Sequence, residues 1–169
     1  MRHAGFPTMS DAMSRIVFDC NVFAQALITP DGRSGLCIQL VLEGRLRLFW
    51  SDYVLGEIRR IAEKPTPRKL GITREMTEKL IALLFPVAHW IDAPPSVYQH
   101  PFDPKDSHYV DLAVSTTSSV IVSSDRHLLN LMKIERSEGA AFLKLFPNIK
   151  VYQPWELVDM LGPGEIVRV

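Results

Sequence analysis

Four acidic residues stand far apart in the chain, each where an alternating strand and helix fold would carry it to one edge: Asp19, Glu57, Asp106 and Asp125. Asp19 follows the apolar run Ile16-Val17-Phe18, and Asp125 follows Val120-Ile121-Val122 and two serines. Glu57 and Asp106 fall early in segments with helical character. Open parallel sheets bind ligands outside the carboxyl ends of their strands. Carboxylates gathered there raise one another's pKa unless a cation joins them. For an oxygen-only set that cation is Mg²⁺ or Mn²⁺. The chemistry this predicts is metal-dependent and directed at phosphate.

The elements that must position these acids follow from periodicity and punctuation. Strands are expected over 15–19, 46–50, 87–91, 119–122 and 149–152, with a further one over 166–169. Helices are expected over 22–28, over 35–43 with Ser34 as cap, from Ser51-Asp52 to just before Pro65-Thr66-Pro67, and over 73–85. More follow over 106–116, from Asp125 onward, and over 137–146 and 154–161. Residues 93–104 read as a rigid Pro-rich loop. Strands alternating with helices predict a parallel sheet covered on both faces. Gly56, beside Glu57, costs helix propensity and suggests that another backbone passes close by.

Composition bounds the answer. The chain has 169 residues, of which 47% are hydrophobic, which suits one domain and argues against disorder. We expect a loose leader over 1–14 and a single domain over 15–169. No apolar run approaches the ~20 residues of a membrane span. Cys20 and Cys37 form no CxxC or Cys/His pairing, Cys20 reads as a small core or near-core residue, and the default setting is a reducing cytoplasm. Lys+Arg and Asp+Glu both number 19, so a nucleic-acid groove would need a local basic patch. The stretch from Arg59 to Arg74 is the best candidate, although a solvated helix face would look the same.

Each acid has a plainer reading. Asp19, Asp106 and Asp125 could simply cap the helices that follow them. Most helical glutamates are solvated, as Glu57 would be. Asp103 lies close to Asp106 and could take its place or hold a water beside it. Asp111 reads as an ordinary, partly exposed acid. Asn21, Ser123 and Ser124 are placed to orient the two strand-end aspartates. Arg126, Arg59 and Arg33 are candidates to hold a phosphate backbone.

The strings Asp19-Cys20-Asn21-Val22, Asp103-Pro104-Lys105-Asp106 and Ser123-Ser124-Asp125-Arg126-His127-Leu128-Leu129, with Glu57 between them, are similar to the motif set of PIN domains. The resemblance is strongest to bacterial PIN proteins described as toxins of toxin–antitoxin pairs, and runs from about Arg15 to Leu161. Asp106 precedes Asp125 by 125 − 106 = 19 positions, room for one helix and one strand. The resemblance implies a three-layer α/β/α sandwich on a mostly parallel sheet of about five strands. It implies a Mg²⁺- or Mn²⁺-dependent endoribonuclease, often a homodimer, with Asp19, Glu57, Asp106 and Asp125 as the catalytic and metal-binding set and RNA as substrate. In toxin members it also implies an antitoxin partner. RNA against single-stranded DNA, and one ion against two, stay open at this point. So does a catalytically silent module that binds RNA or protein. A receiver-type phosphoacceptor domain would need a Lys ending a late strand, which is not evident.

Overall fold

The computed structural model describes residues 14–161. Apart from Ser14, the expected leader lies outside them, as does the expected strand over 166–169. Five short strands make one sheet: β1 (Arg15–Phe18), β2 (Arg47–Trp50), β3 (His89–Trp90), β4 (Val120–Val122) and β5 (Lys150–Tyr152), in the order β3-β2-β1-β4-β5. Every pairing is parallel. Parallel strands are buried on both faces, which is why they are written as continuous apolar runs. Ile16, Val17, Phe18 and Val120 to Val122 are all buried.

Between the strands run helices α1 (Cys20–Ile28), α2 (Arg33–Leu42), α3 (Asp52–Arg60), α4 (Pro65–Lys69), α5 (Arg74–Leu84), α6 (Ser107–Ser115), α7 (Arg126–Leu129), α8 (Ser137–Leu145) and α9 (Pro154–Leu161). Crossovers between parallel strands are right-handed. The chain steps one way from β1 to β3 and back the other way to β4 and β5. That reversal puts α1–α5 on one face of the sheet and α6–α8 on the other, with α9 packed on α2. The expected α/β/α sandwich with a five-stranded sheet is therefore what the chain forms.

The reversal falls between β1 and β4, where the two crossovers diverge and leave a crevice at the carboxyl ends. Phe18 is in register with Val122, and the amide of Asp19 donates to the Val122 carbonyl at 2.9 Å. Asp19 and the Ser123–Asp125 segment thus leave the sheet side by side.

Several local expectations need correction. The helical stretch from Asp52 ends before Pro65, as expected, but a short helix absent from the expectation, α4, begins there, with Pro65 in its first turn where a missing N–H costs nothing. Ser34 lies inside the first turn of α2, and the cap position belongs to Gly32. The close backbone approach is at Gly35, where a Cβ would stand 1.8 Å from the Pro30 carbonyl oxygen; at Gly56 a Cβ would meet only the Arg60 guanidinium, at 3.5 Å. Strand β3 covers two residues, because Val87 and Ala88 still turn back on Leu84 through their amides. Cys20 and Cys37 are buried and free, and burial pushes both thiols up to about 12, which disfavours the thiolate.

Candidate active site

The switch-point crevice widens into a cavity of about 840 Å³ whose lining includes Asp19, Glu57, Asp103, Asp106 and Asp125. Acids from the ends of β1 and β4, from α3 and from the turn before α6 therefore face one space. Asp19 is buried at the first position before α1. Its Oδ2 accepts from Ser123 Oγ at 2.6 Å and its Oδ1 from the Asn21 amide at 3.4 Å. The same Ser123 Oγ accepts from the Asp125 amide at 2.9 Å. One buried hydroxyl thus ties the two strand-end aspartates together. Asp125 also caps α7, its Oδ1 accepting from the His127 amide at 2.7 Å. Capping and a place in the cavity coexist at both positions.

Glu57 is held on both oxygens. His108 Nε2 donates to Oε1 at 3.1 Å, and Tyr109 Oη donates to Oε2. The phenol in turn accepts from the Cys20 amide at 3.0 Å, which links α3, α6 and the start of α1. Burial pushes the Glu57 carboxyl up, but the hydrogen bonds from His108 and Tyr109 outweigh it and leave Glu57 below the usual value. It is an ionised group with both oxygens engaged.

Asp103 and Asp106 have different surroundings. Asp103 caps the 3₁₀ turn Pro104–Asp106, accepting from the Lys105 amide at 3.2 Å. Asp106 makes no side-chain cap to α6, and its Oδ2 is buried without a hydrogen-bond partner. Burial, followed by the negative charges of Asp19, Asp125, Asp103 and Glu57, pushes its carboxyl up to about 8. Burial raises Asp19 as well.

Among the described residues, no three His, Cys, Asp or Glu side chains stand close enough to ligate one ion by themselves. A hydrated ion asks for less. Mg²⁺ keeps several waters and takes only one or two carboxylates. The all-oxygen set, the orphaned Asp106 oxygen and the mutual repulsion of the acids fit such a cation.

The basic residues are not arranged as expected. Arg59 pairs with Glu78 of α5 at 2.8 Å, Arg33 stands 4.0 Å from Asp159, and Arg126 is not part of the cavity wall. Arg60, Lys64 and Lys105 line the cavity instead. Ser124 faces a second, smaller pocket together with Arg33 and Trp155, away from the acids. Asp111 is buried rather than partly exposed, and its Oδ1 accepts the amides of Val97 and Tyr98 at 2.8 and 2.9 Å. That carboxylate holds the Pro-rich loop against α6. Tyr109 and the buried His100 are not singled out by the sequence, which marks Asp111 only as an ordinary acid. For Tyr109 a signal exists: it lies three residues after Asp106, on the same helical face.

A model of the PIN domain family matches residues 15–127. An uncharacterized protein of Methanocaldococcus jannaschii is 29% identical over 147 residues, which cover 86% of this chain and 90% of that protein. The crystal structure of VapBC2 from Rickettsia felis, bound to a DNA fragment from its promoter, shares the fold with a TM-score of 0.51 at 12% identity, over 82% of this chain and 98% of that one. The chain belongs to the PIN-domain family. PIN domains are in general nucleases that use divalent metal ions, so the class of activity is phosphodiester hydrolysis. Among the described residues, no helix is long and apolar enough to cross a membrane.

Proposed function

We propose that the chain is a divalent-metal-dependent endoribonuclease and the toxin of a toxin–antitoxin pair. The observation that carries this reading is Asp106. One of its carboxylate oxygens is buried without a partner, and the residue lines a cavity shared with Asp19, Asp125 and Glu57. A structural carboxylate would be satisfied by the protein. One that is left bare among other acids is suited to a cation.

Asp19, Asp106 and Asp125 would hold hydrated Mg²⁺ or Mn²⁺, one or two of them directly and the rest through its waters, with Glu57 also acting through water because both its oxygens are engaged. The bound ion supplies an acidified water and offsets charge on the phosphate and leaving oxygen. The protein supplies orientation. Ser123 fixes Asp19 against the Asp125 backbone, and His108 and Tyr109 fix Glu57. Arg60, Lys64 and Lys105 hold the phosphates of the strand. Asn21, whose amide contacts Asp19, stands at the same edge.

The test is incubation with mixed structured RNAs and with single-stranded DNA, in Mn²⁺ or in EDTA, beside Asp19→Asn. Cleavage of RNA that needs Mn²⁺ and is lost in the variant is the expected result. An Asp19→Asn protein cutting at the wild-type rate overturns the proposal, and preferred cutting of DNA reassigns the substrate.

The toxin assignment takes support from the VapBC2 likeness, and it brings a protein inhibitor and a second copy of the chain as partners. The inhibitor would place an Arg or Lys among the acids. The capping bonds of Asp19 and Asp125 favour one alternative, a catalytically silent PIN module that binds RNA or protein. Mn²⁺ titration separates the two, since a site that binds metal raises the melting temperature and a set of caps does not.

A further inference from the structure

One wall of the cavity has an order of its own. Tyr53, Glu57, Arg60 and Lys64 all line it. Tyr53, Glu57 and Arg60 follow one another at steps of four and three along α3, and Lys64 stands just past the 3₁₀ turn Ile61–Glu63 that continues it. Side chains so spaced share one helical face. The stripe therefore runs from an aromatic ring past an acid to two cations.

The ring at its head is both bare and braced. Tyr53 is 67% exposed. It stacks on His108 with ring centroids 5.4 Å apart and an interplanar angle of 27°. His108 is itself fixed by Glu57. The side chain has its orientation set on one side and an open aromatic face on the other. An isolated exposed tyrosine would need no comment. This one stands at the rim of an acid-lined cavity, on a support that belongs to the site.

We propose that Tyr53 is a substrate-contact residue that stacks a nucleobase flanking the cleaved phosphate, while Arg60 and Lys64 hold the following phosphates, so that a single strand lies along α3. The inference rests on the nuclease reading and adds to it the strand's placement and a stacking subsite. Base stacking on aromatic side chains accepts any base, because each has a π-face. A paired base inside a duplex has both faces covered and cannot use the platform. The helix rise puts Arg60 about 10 Å beyond Tyr53, with Lys64 further on past the 3₁₀ turn, a span of a few nucleotides. Gly56 has room above it for the Arg60 guanidinium, which lies 3.5 Å from where a Cβ would be.

The test uses full-length protein carrying Asp19→Asn to stop cleavage, with Mg²⁺ present. The probe is a short single-stranded RNA containing one 2-aminopurine, followed by its own fluorescence and by anisotropy. Tyr53→Phe keeps the ring and should bind within about twofold of the parent, with the same quenching; Tyr53→Leu should bind about 5- to 100-fold more weakly and lose the quenching. Placing an abasic nucleotide at the 2-aminopurine position should abolish the difference between parent and Tyr53→Leu. Arg60→Gln with Lys64→Gln should flatten the salt dependence by about 0.7 per charge removed, with the quenching intact. Equal affinity and quenching in Tyr53→Leu, no binding by the parent, or tighter binding of a duplex each overturns the inference. EDTA-sensitive cleavage by the wild-type chain is read separately, so a nuclease without a Tyr53 platform remains distinguishable from a chain that is no nuclease.

Discussion

Nε2 of the buried His100 donates to the carbonyl oxygen of His127 at 3.0 Å. The donor role follows from the other nitrogen, because Nδ1 accepts the amides of Phe102 and Asp103 at 3.1 and 3.0 Å. With Nδ1 occupied as an acceptor, the neutral ring's one proton must sit on Nε2. The His100 amide also donates to Ser107 Oγ at 2.7 Å. One imidazole therefore ties the turn that carries Asp103 and Asp106 to the helix capped by Asp125. His100→Ala leaves two amides and a carbonyl without partners and should cost about 2–4 kcal/mol. His100→Asn keeps an acceptor near Nδ1 and should cost less. Chemical denaturation of the three proteins checks the order, and equal stability of all three would remove the clamp from the account.

Asp106 and Asp125 should respond differently to the same substitution. Asp106→Asn removes a carboxyl that the fold must either protonate or leave charged among other acids, and should raise the melting temperature of the metal-free protein while abolishing cleavage. Asp125→Asn keeps a good helix cap and should leave stability within about 0.5 kcal/mol, whereas Asp125→Ala loses the cap and about 0.5–2 kcal/mol. Both Asp125 variants should be inactive. A metal-free Asp106→Asn protein less stable than wild type would show that this carboxylate serves the fold.

The acid cluster also sets a pH dependence. Asp106 titrates at about 8 in the folded protein and near the ordinary carboxylate value, about 4, in the unfolded chain. Between those values the native state holds a proton that the unfolded chain has released. Stability therefore falls as pH rises through that window. Glu57 acts in the opposite sense. Its stabilising hydrogen bonds from His108 and Tyr109 are lost only as pH drops below the usual carboxylate range. Melting in EDTA should show a maximum in weakly acidic buffer and a decline towards about pH 8. Divalent metal should restore more stability at the upper end than at the lower. A metal-free melting temperature climbing steadily across this range would contradict the assignment.

Asp111 should govern the Pro-rich segment. Its carboxylate is the acceptor for two consecutive loop amides. Asp111→Ala should make residues 93–104 cleavable by limited proteolysis and slow any nuclease activity by disturbing the approach to Asp106. Asp111→Asn retains an acceptor oxygen and should fall between that variant and wild type. Unchanged protease resistance in the alanine variant would mean that the prolines alone keep the loop in place.

Much of the fold was legible because buried parallel strands are written as apolar runs. Ile16 to Phe18 and Val120 to Val122 gave their strands, and the aspartates after them, directly. The edge strand is shorter than its apolar run suggests, since Val87 is as β-prone as the residues after it and only the turn hydrogen bonds from the Val87 and Ala88 amides to Leu84 exclude the pair. The stop before Pro65 is legible, but the short helix that Pro65 opens is not, because a proline that ends one helix can equally start the next. Asp103 and Asp106 could not be separated by spacing, because both precede one helix and differ only in where their side-chain oxygens point. Arg59 and Arg60 show how far one residue matters. A single step turns a helix by about 100°, which sends Arg59 to Glu78 and Arg60 to the cavity.

The central position of β1 has a consequence for the newborn chain. Its first partner, β2, emerges from the ribosome soon afterwards, but β4 is separated from it by about a hundred residues of polypeptide. Contacts so distant along the chain form late. A nascent polypeptide that stops short of Val120 carries Asp19, Glu57 and Asp106 without the strand that aligns them. Arrested synthesis products of this length should be harmless to the cell's RNA, and competence should arrive abruptly once β4 has been made and has paired with β1.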